Sequence, residues 1–220
     1  HILTVDAASG KASQITSIKV FDVSMPVWSP DGKNIAFVTN RSEDPDLDPD
    51  SVDIFGVPAR GGRARKSPTP IGFKWNLSFS PDGALLAGAE HGFAYVWDVA
   101  TGKAVHTLIG RYFALDFSPD GETLALGSFY GPVILWDVAT EAQEGILDDH
   151  GMVLLTLAYS PDGSTLAAGY HDDTVLLWDT ATGALLHQMD NAVWRGMVVS
   201  SLAFSPDGKM LVSGSSKGIA

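Results

Sequence analysis

The sequence predicts an all-β protein, a five-bladed β-propeller of four-stranded antiparallel blades. An aromatic residue followed by Ser-Pro-Asp-Gly recurs five times, with the prolines at Pro30, Pro81, Pro119, Pro161 and Pro206. These prolines are 51, 38, 42 and 45 residues apart, close to the roughly 40–50 residues of one propeller blade. Short apolar segments bounded by turn residues, such as residues 165–169 and 174–178, predict strands that are buried on both faces.

Each Ser-Pro-Asp-Gly signature predicts a tight turn between the first and second strands of a blade. Proline presets φ for such a turn, and we expect Asp-Gly to supply its left-handed positions. The aromatic residue before each signature is expected to fill the space between neighbouring blades. The repeated residues are therefore interpreted as scaffold.

The elements follow in order along one predicted domain, residues 1–220. Val5 to Lys11 matches Trp97 to Lys103, so residues 1–19 are expected to supply the third and fourth strands of a half blade. Four full blades are predicted, and residues 191–220 supply a second half blade. The predicted boundaries of the full blades are 20–70, 71–110, 111–149 and 150–190.

The two half blades are predicted to complete each other. Counted across the junction of the two ends, Pro206 and Pro30 are 44 residues apart, which lies inside the observed range of intervals. A fifth blade made of both halves would pair edges that are otherwise exposed, and the protein would then be a monomer. Exchange of the halves between chains satisfies the same edges, so a swapped homo-oligomer is the alternative.

Three tryptophan-aspartate pairs carry a family resemblance: Trp97-Asp98, Trp136-Asp137 and Trp178-Asp179. With them, residues 71–214 resemble WD repeats. Residues 28–41 and 53–62 are instead similar to the propeller domains of prolyl-oligopeptidase-type peptidases and to the periplasmic Tol system propeller.

The WD-repeat resemblance also implies a structural role for His150. In these repeats such a histidine hydrogen-bonds to a turn aspartate and to the third-strand tryptophan, here Asp172 and Trp178. Ala168 stands where the network usually has Ser or Thr. We therefore expect the network to lack one member.

Composition narrows the classes of partner. Fourteen Lys and Arg against 26 Asp and Glu give a net charge of -12, which repels phosphate backbones and anionic lipid surfaces. We therefore expect neither nucleic acid nor membrane as a partner. The chain is predicted to be soluble, cytoplasmic or periplasmic. It has no cysteine, which excludes disulfides, thiolate metal sites and a thiol nucleophile.

Recognition is expected where the repeats differ from one another. By register, the inter-blade loops and the loops between second and third strands share one face, and variable loops on a rigid scaffold are the usual carriers of binding. The candidate ligand-binding residues on this face are Arg111, Tyr112, His150, His171, Trp194 and Arg195.

Two charged segments are further candidates. Asp46, Asp48 and Asp50 have the opening spacing of a calcium-binding loop, but the glycine at the sixth position of such a loop is missing. The favoured interpretation is therefore a solvated insertion. The alternative is a site for calcium or another divalent metal. No other cofactor is predicted. Arg60, Arg63, Arg65 and Lys66 form a basic cluster, interpreted as a local contact for an anion or a partner.

Three functions are compatible with these observations. The favoured hypothesis is a noncatalytic scaffold that binds a protein, peptide or small ligand on the variable loops, because repetition builds scaffold and no convincing nucleophile or metal triad is present. A metal-assisted hydrolase at the central opening is the second hypothesis, based on His91, His150 and His171 with nearby carboxylates. The third is a fragment of a peptidase's gating propeller.

Overall fold

The strands of this protein form antiparallel sheets of the predicted kind. The computed structural model describes residues 2–16, 23–40, 52–67, 74–90, 92–147, 150–190 and 197–217. Within these ranges the chain is all-β, with four four-stranded sheets and two two-stranded sheets. No helix in the described ranges has the length and apolar character needed to cross a membrane. The predicted fold class is confirmed.

The contacts divide the chain into two compact units. The first contains residues 1–91 and 95–107, and the second contains residues 92–94 and 108–220. That all six sheets make one domain with the predicted blade boundaries stays a prediction.

The first unit begins with a two-stranded sheet followed by a complete one. The two-stranded sheet comprises β1 (Leu3–Val5) and β2 (Ala12–Gln14). The first four-stranded sheet comprises β3 (Val23–Trp28), β4 (Asn34–Asn40), β5 (Val52–Pro58) and β6 (Arg65–Lys66). The second comprises β7 (Lys74–Phe79), β8 (Leu85–Glu90), β9 (Phe93–Asp98) and β10 (Ala104–Ile109).

The second unit holds two complete sheets and ends with a two-stranded one. The third four-stranded sheet comprises β11 (Tyr112–Phe117), β12 (Thr123–Ser128), β13 (Val133–Asp137) and β14 (Ala142–Leu147). The fourth comprises β15 (Leu154–Tyr159), β16 (Thr165–Tyr170), β17 (Thr174–Asp179) and β18 (Leu185–Asp190). The last sheet comprises β19 (Met197–Phe204) and β20 (Leu211–Lys217).

Inner strands bury both of their faces, as the apolar segments predict. On β4, Ile35 and Phe37 pack in a cluster with Ile2 and Ile15, which directly flank β1 and β2, while Ala36 and Val38 pack in a cluster that includes Trp97 of the second sheet. Because successive side chains of a strand point to opposite faces, one strand contributes to two layers of core. In the second unit, one cluster joins residues of the third and fourth sheets around the fully buried Trp178.

The Ser-Pro-Asp-Gly turns have the expected hairpin role with one difference in detail. In each turn the glycine N–H donates to the serine carbonyl, and φ of the glycine lies between 67° and 78°. The aspartates do not have positive φ, so the prediction that Asp shares the left-handed positions is wrong. The carboxylate of Asp31 instead accepts the Ser29 hydroxyl at 2.6 Å and the Lys33 N–H at 3.0 Å. A hydrogen-bonding side chain thus fixes the turn without a left-handed residue at that position.

The N-terminal strands repeat the turn that follows a third strand. Asp6 accepts the N–H and the hydroxyl of Ser9 at 2.7 and 2.6 Å. Asp98 accepts the same two groups of Thr101 at 2.7 and 2.6 Å. The match between Val5–Lys11 and Trp97–Lys103 therefore holds in three dimensions. β1–β2 and β19–β20 are each a two-stranded sheet, and their joining into a fifth blade stays a prediction, as does the swapped oligomer.

Candidate functional site

Backbone hydrogen bonds show which loops share an end of the sheets. The N–H of Phe129, after a second strand, donates to the Arg111 carbonyl at 2.8 Å, and the N–H of His171 donates to the Val153 carbonyl at 2.9 Å. At the opposite end the N–H of Thr180 donates to Ser164, joining two turns of the fourth sheet. We use the name loop face for residues 110–111, 129–132, 150–153 and 171–173 of the second unit.

An aromatic cluster lies at the loop face of the third sheet. The rings of Phe113 and Phe129 are 5.2 Å apart between centroids, and the Phe129 and Tyr130 rings meet edge-on at 4.5 Å. Tyr130 is 69% exposed, while both phenylalanines are half-buried. Gly131-Pro132 forces a turn directly after Tyr130 and holds it at the end of a rigid sheet. We call Phe113, Phe129 and Tyr130 the aromatic cluster.

Arg111 and Tyr112 have different surroundings beside this cluster. Arg111 is exposed, and its carbonyl is fixed by the Phe129 N–H. Tyr112 is buried, its hydroxyl lies 3.4 Å from the Ile109 carbonyl, to which it donates, and burial raises the pKa of its phenol. Arg111 is therefore available to a ligand. A ligand contact by Tyr112 stays a prediction, and its burial favours a packing role.

His150 makes the structural hydrogen bond that the repeat implies. Its Nε2 lies 2.9 Å from Oδ2 of Asp172, and its ring meets Tyr170 edge-on at 4.9 Å. Burial by itself would raise the pKa of the Asp172 carboxyl. The hydrogen bonds from His150 and Thr174 together lower this pKa by a larger amount, so it lies below its usual value. This pair ties the chain before β15 to the turn before β17.

The tryptophan of this network has no hydrogen-bond partner among the described residues. Trp178 is fully buried, and its Nε1 makes no hydrogen bond to any described group. Ala168, which is also fully buried and packs in the same cluster, has no hydroxyl to accept it. The geometry agrees with the expectation that the network lacks its Ser or Thr member.

Of the remaining candidates, His171 is the one that lies among the described residues. His171 is exposed on the loop face. Asp46, Asp48, Asp50, Trp194 and Arg195 lie outside the described residues, so their roles stay predictions. In the part of the chain that is described, no three His, Asp or Glu side chains are grouped closely enough to hold a metal ion.

The aromatic cluster is the feature that sequence reasoning missed. Phe129-Tyr130 occupies the loop between second and third strands, where the fourth sheet carries His171-Asp172. Two adjacent aromatic residues in a short turn that otherwise holds only Gly131 and Pro132 were a recognisable signal. Phe113 carried no such signal, because an aromatic residue in the first strand of a blade is expected to be part of the core.

The comparisons with known proteins agree with the repeats seen in the chain. Residues 71–98, 142–179 and 191–219 match the WD40 family model, described as WD domain, G-beta repeat. No curated protein matches the chain at a significant level. WD40 repeats are thus present in three places. The similarity of the first blade to peptidase and Tol propellers stays a prediction.

Proposed function

We propose that this protein is a noncatalytic interaction scaffold whose loop face binds a partner protein or peptide through the aromatic cluster and Arg111. The observation that carries the proposal is the 69% exposure of Tyr130, whose ring meets Phe129 edge-on at the end of a sheet. WD40 repeats are generally protein-interaction scaffolds. That general role supports a binding function over the hydrolase and peptidase-fragment alternatives.

The residue types fit protein recognition. Tyrosine brings a large, rigid and amphipathic surface at a small cost in side-chain entropy, and Tyr and Arg are enriched among residues that dominate binding energy. The Phe129 ring holds Tyr130 from one side at 4.5 Å, so little ordering of the exposed ring is needed on binding. Arg111 adds a planar cation that can pair with a carboxylate or a backbone carbonyl of the partner.

A peptide selection tests this proposal. The whole chain is immobilised, random peptides of about a dozen residues displayed on phage are selected on it, and the affinities of enriched synthetic peptides are measured by fluorescence anisotropy. For peptides bound at the loop face, Tyr130→Ala should cost about 2 kcal/mol or more, roughly thirtyfold in affinity. Selection of no peptide above an unrelated immobilised protein would contradict the scaffold function.

The matched control is Ile146→Ala. Ile146 is 56% exposed on the outer strand β14, so both variants truncate a large exposed side chain of the second unit. Neither change should alter the free energy of unfolding by more than about 0.5 kcal/mol, as is usual for surface positions. Equal loss of affinity in both variants would argue against the aromatic cluster as the binding surface.

A further inference from the structure

A large cleft lies in the first unit between the first and second four-stranded sheets. Its volume is about 1520 Å³, and the Ser-Pro-Asp-Gly turns of both sheets line it. The corresponding cleft between the third and fourth sheets, lined by the same turns of those sheets, measures only about 260 Å³. Because both clefts are built from equivalent parts of the repeat, the smaller one is an internal reference for the larger. We call the larger one the basic cleft.

One residue difference and one short strand account for much of the difference in volume between the two clefts. Gly56 pairs with Ala36 and Leu135 pairs with Ala125, and these alanines stand at the same distance from their signatures. Gly56 therefore occupies the position of Leu135, which lines the small cleft. The outer strand β6 has two residues, whereas β14 has six. The missing side chain and the short strand leave the space open.

Nothing inside the described structure requires a glycine at position 56. It does not have positive φ, and the pairing of β4 with β5 continues through it without a bulge. A Cβ atom built on Gly56 would meet no described atom within 4 Å. Glycine weakens a strand interior, and where no bulge or bend explains it, it marks a place where a ligand or another backbone approaches closely.

The wall beside Gly56 is basic. Arg65 is the cross-strand partner of Gly56, and it lines the cleft together with Arg63 and Lys66. Lys66 is paired with Asp53 at 2.7 Å, whereas both arginines are exposed and form no ion pair within the described ranges. Two arginines that form no ion pair among the described residues therefore line the cleft beside Gly56.

Carboxylates also line the basic cleft, but at its turns. Asp31, Asp82 and Asp98 each accept hydrogen bonds within their own turn. In the small cleft the outer strand carries Glu144, which accepts the Thr123 hydroxyl at 2.6 Å. The outer-strand wall is thus cationic in the first unit and anionic in the reference cleft.

We propose that the basic cleft binds an extended acidic peptide segment of a partner protein. The segment's backbone passes over Gly56, an acidic side chain pairs with Arg65 and Arg63, and an apolar side chain packs on the half-buried Phe79. The inference rests on the proposed scaffold function and names a second contact surface and its ligand class. Charge complementarity with the two arginines selects the acidic occupant.

The size of the cleft agrees with this occupant. Its volume of about 1520 Å³ exceeds the roughly 300–1,000 Å³ of sites for drug-sized molecules, which favours a peptide over a small metabolite.

The experiment uses the same displayed random peptides, selected on the wild-type chain after depletion on Gly56→Leu. This substitution restores the side chain found at Leu135, and the free space around Gly56 allows it without strain. Recovered peptides should contain acidic residues next to apolar ones. Their affinity should fall about tenfold or more in Gly56→Leu and in Arg65→Glu, and it should weaken as salt is raised.

The matched control for Arg65→Glu is Arg60→Glu, which makes the same charge change at an exposed arginine that does not line the cleft. Its affinity should stay within about threefold of wild type. Circular dichroism and the thermal midpoint check folding of all variants. Arg65→Glu decides the result if Gly56→Leu does not fold, because Arg65 is exposed.

The outcomes separate this proposal from the scaffold proposal. Recovered peptides that lack acidic residues, or that keep full affinity for Gly56→Leu and Arg65→Glu, overturn the basic cleft. If the bound peptides respond only to Tyr130→Ala, the scaffold function stands and the basic cleft fails. If only the depleted selection yields no peptide, the basic cleft fails alone; if selection on the wild-type chain without depletion also yields none, both proposals fail.

Discussion

Replacing Ala168 with serine should stabilise the protein, although it places a polar group in a fully buried position. The repeat resemblance puts the hydroxyl between His150 and Trp178, whose Nε1 is buried without a partner among the described groups. A buried donor without an acceptor costs about 1–3 kcal/mol, and a typical hydrogen bond returns about 1 kcal/mol net. We therefore expect Ala168→Ser to raise the free energy of unfolding by about 1 kcal/mol. For a chain of this length that corresponds to roughly 2–4 °C in Tm.

Ala167→Ser is the matched control. Ala167 is also fully buried, but it points to the other face of β16, away from Trp178. A hydroxyl there has no designated partner, so Ala167→Ser should lower the free energy of unfolding by about 1–3 kcal/mol. The two neighbouring substitutions add the same atom and are expected to have opposite signs.

Urea unfolding followed by circular dichroism measures both variants, with an unchanged m-value showing that the transition is the same. The gain from Ala168→Ser should disappear in a Trp178→Phe background, because phenylalanine has no N–H to donate. If Ala168→Ser is as destabilising as Ala167→Ser, or if its gain survives Trp178→Phe, the interpretation of the network is wrong.

Two further predictions concern the turns. In the Ser-Pro-Asp-Gly turns the serine hydroxyl lowers the pKa of the aspartate, to about 2 for Asp31. Because these folded-state pKa values are depressed, the stabilisation is present above the unfolded value of about 4 and is lost as pH falls towards 2. Thermal midpoints measured across this window should fall, and a constant midpoint would contradict the prediction. Gly163→Ala should cost about 1–3 kcal/mol, because φ of Gly163 is 74°, a left-handed conformation that alanine adopts only with strain. Gly56→Ala, where φ is not positive and the space is open, should cost nothing, and equal losses in chemical unfolding would refute the backbone argument.

The sequence could predict the repeated part of the fold because each turn is determined locally. Ser-Pro-Asp-Gly and the turn at Asp98 are fixed by hydrogen bonds between residues at most five positions apart, so a short motif contains the whole interaction. The register of the N-terminal strands followed from the same logic, since Asp6 and Ser9 reproduce Asp98 and Thr101.

The candidate site was less predictable because its features depend on distant contacts. Tyr112 reads as a loop residue in sequence, but the fold buries it. Phe113 contributes to the aromatic cluster only because the chain returns 16 residues later with Phe129. Gly56 reads as an ordinary break in an apolar strand, and its meaning depends on the empty space beside it.

The internal repeat allows the unusual residues to be compared with equivalent residues in the same chain. In a fold without repeats, a glycine or an exposed tyrosine cannot be compared with an equivalent residue. In this chain each repeated position has counterparts in the other sheets. Leu135 and Glu144 show how an equivalent cleft is filled and closed. Around the larger cleft the filling side chain is absent at Gly56, and the outer strand carries Arg65 and Lys66, whereas β14 carries Glu144. Relaxed packing explains an open space, but it gives no reason for the outer strand to carry cations, whereas a bound acidic segment explains both.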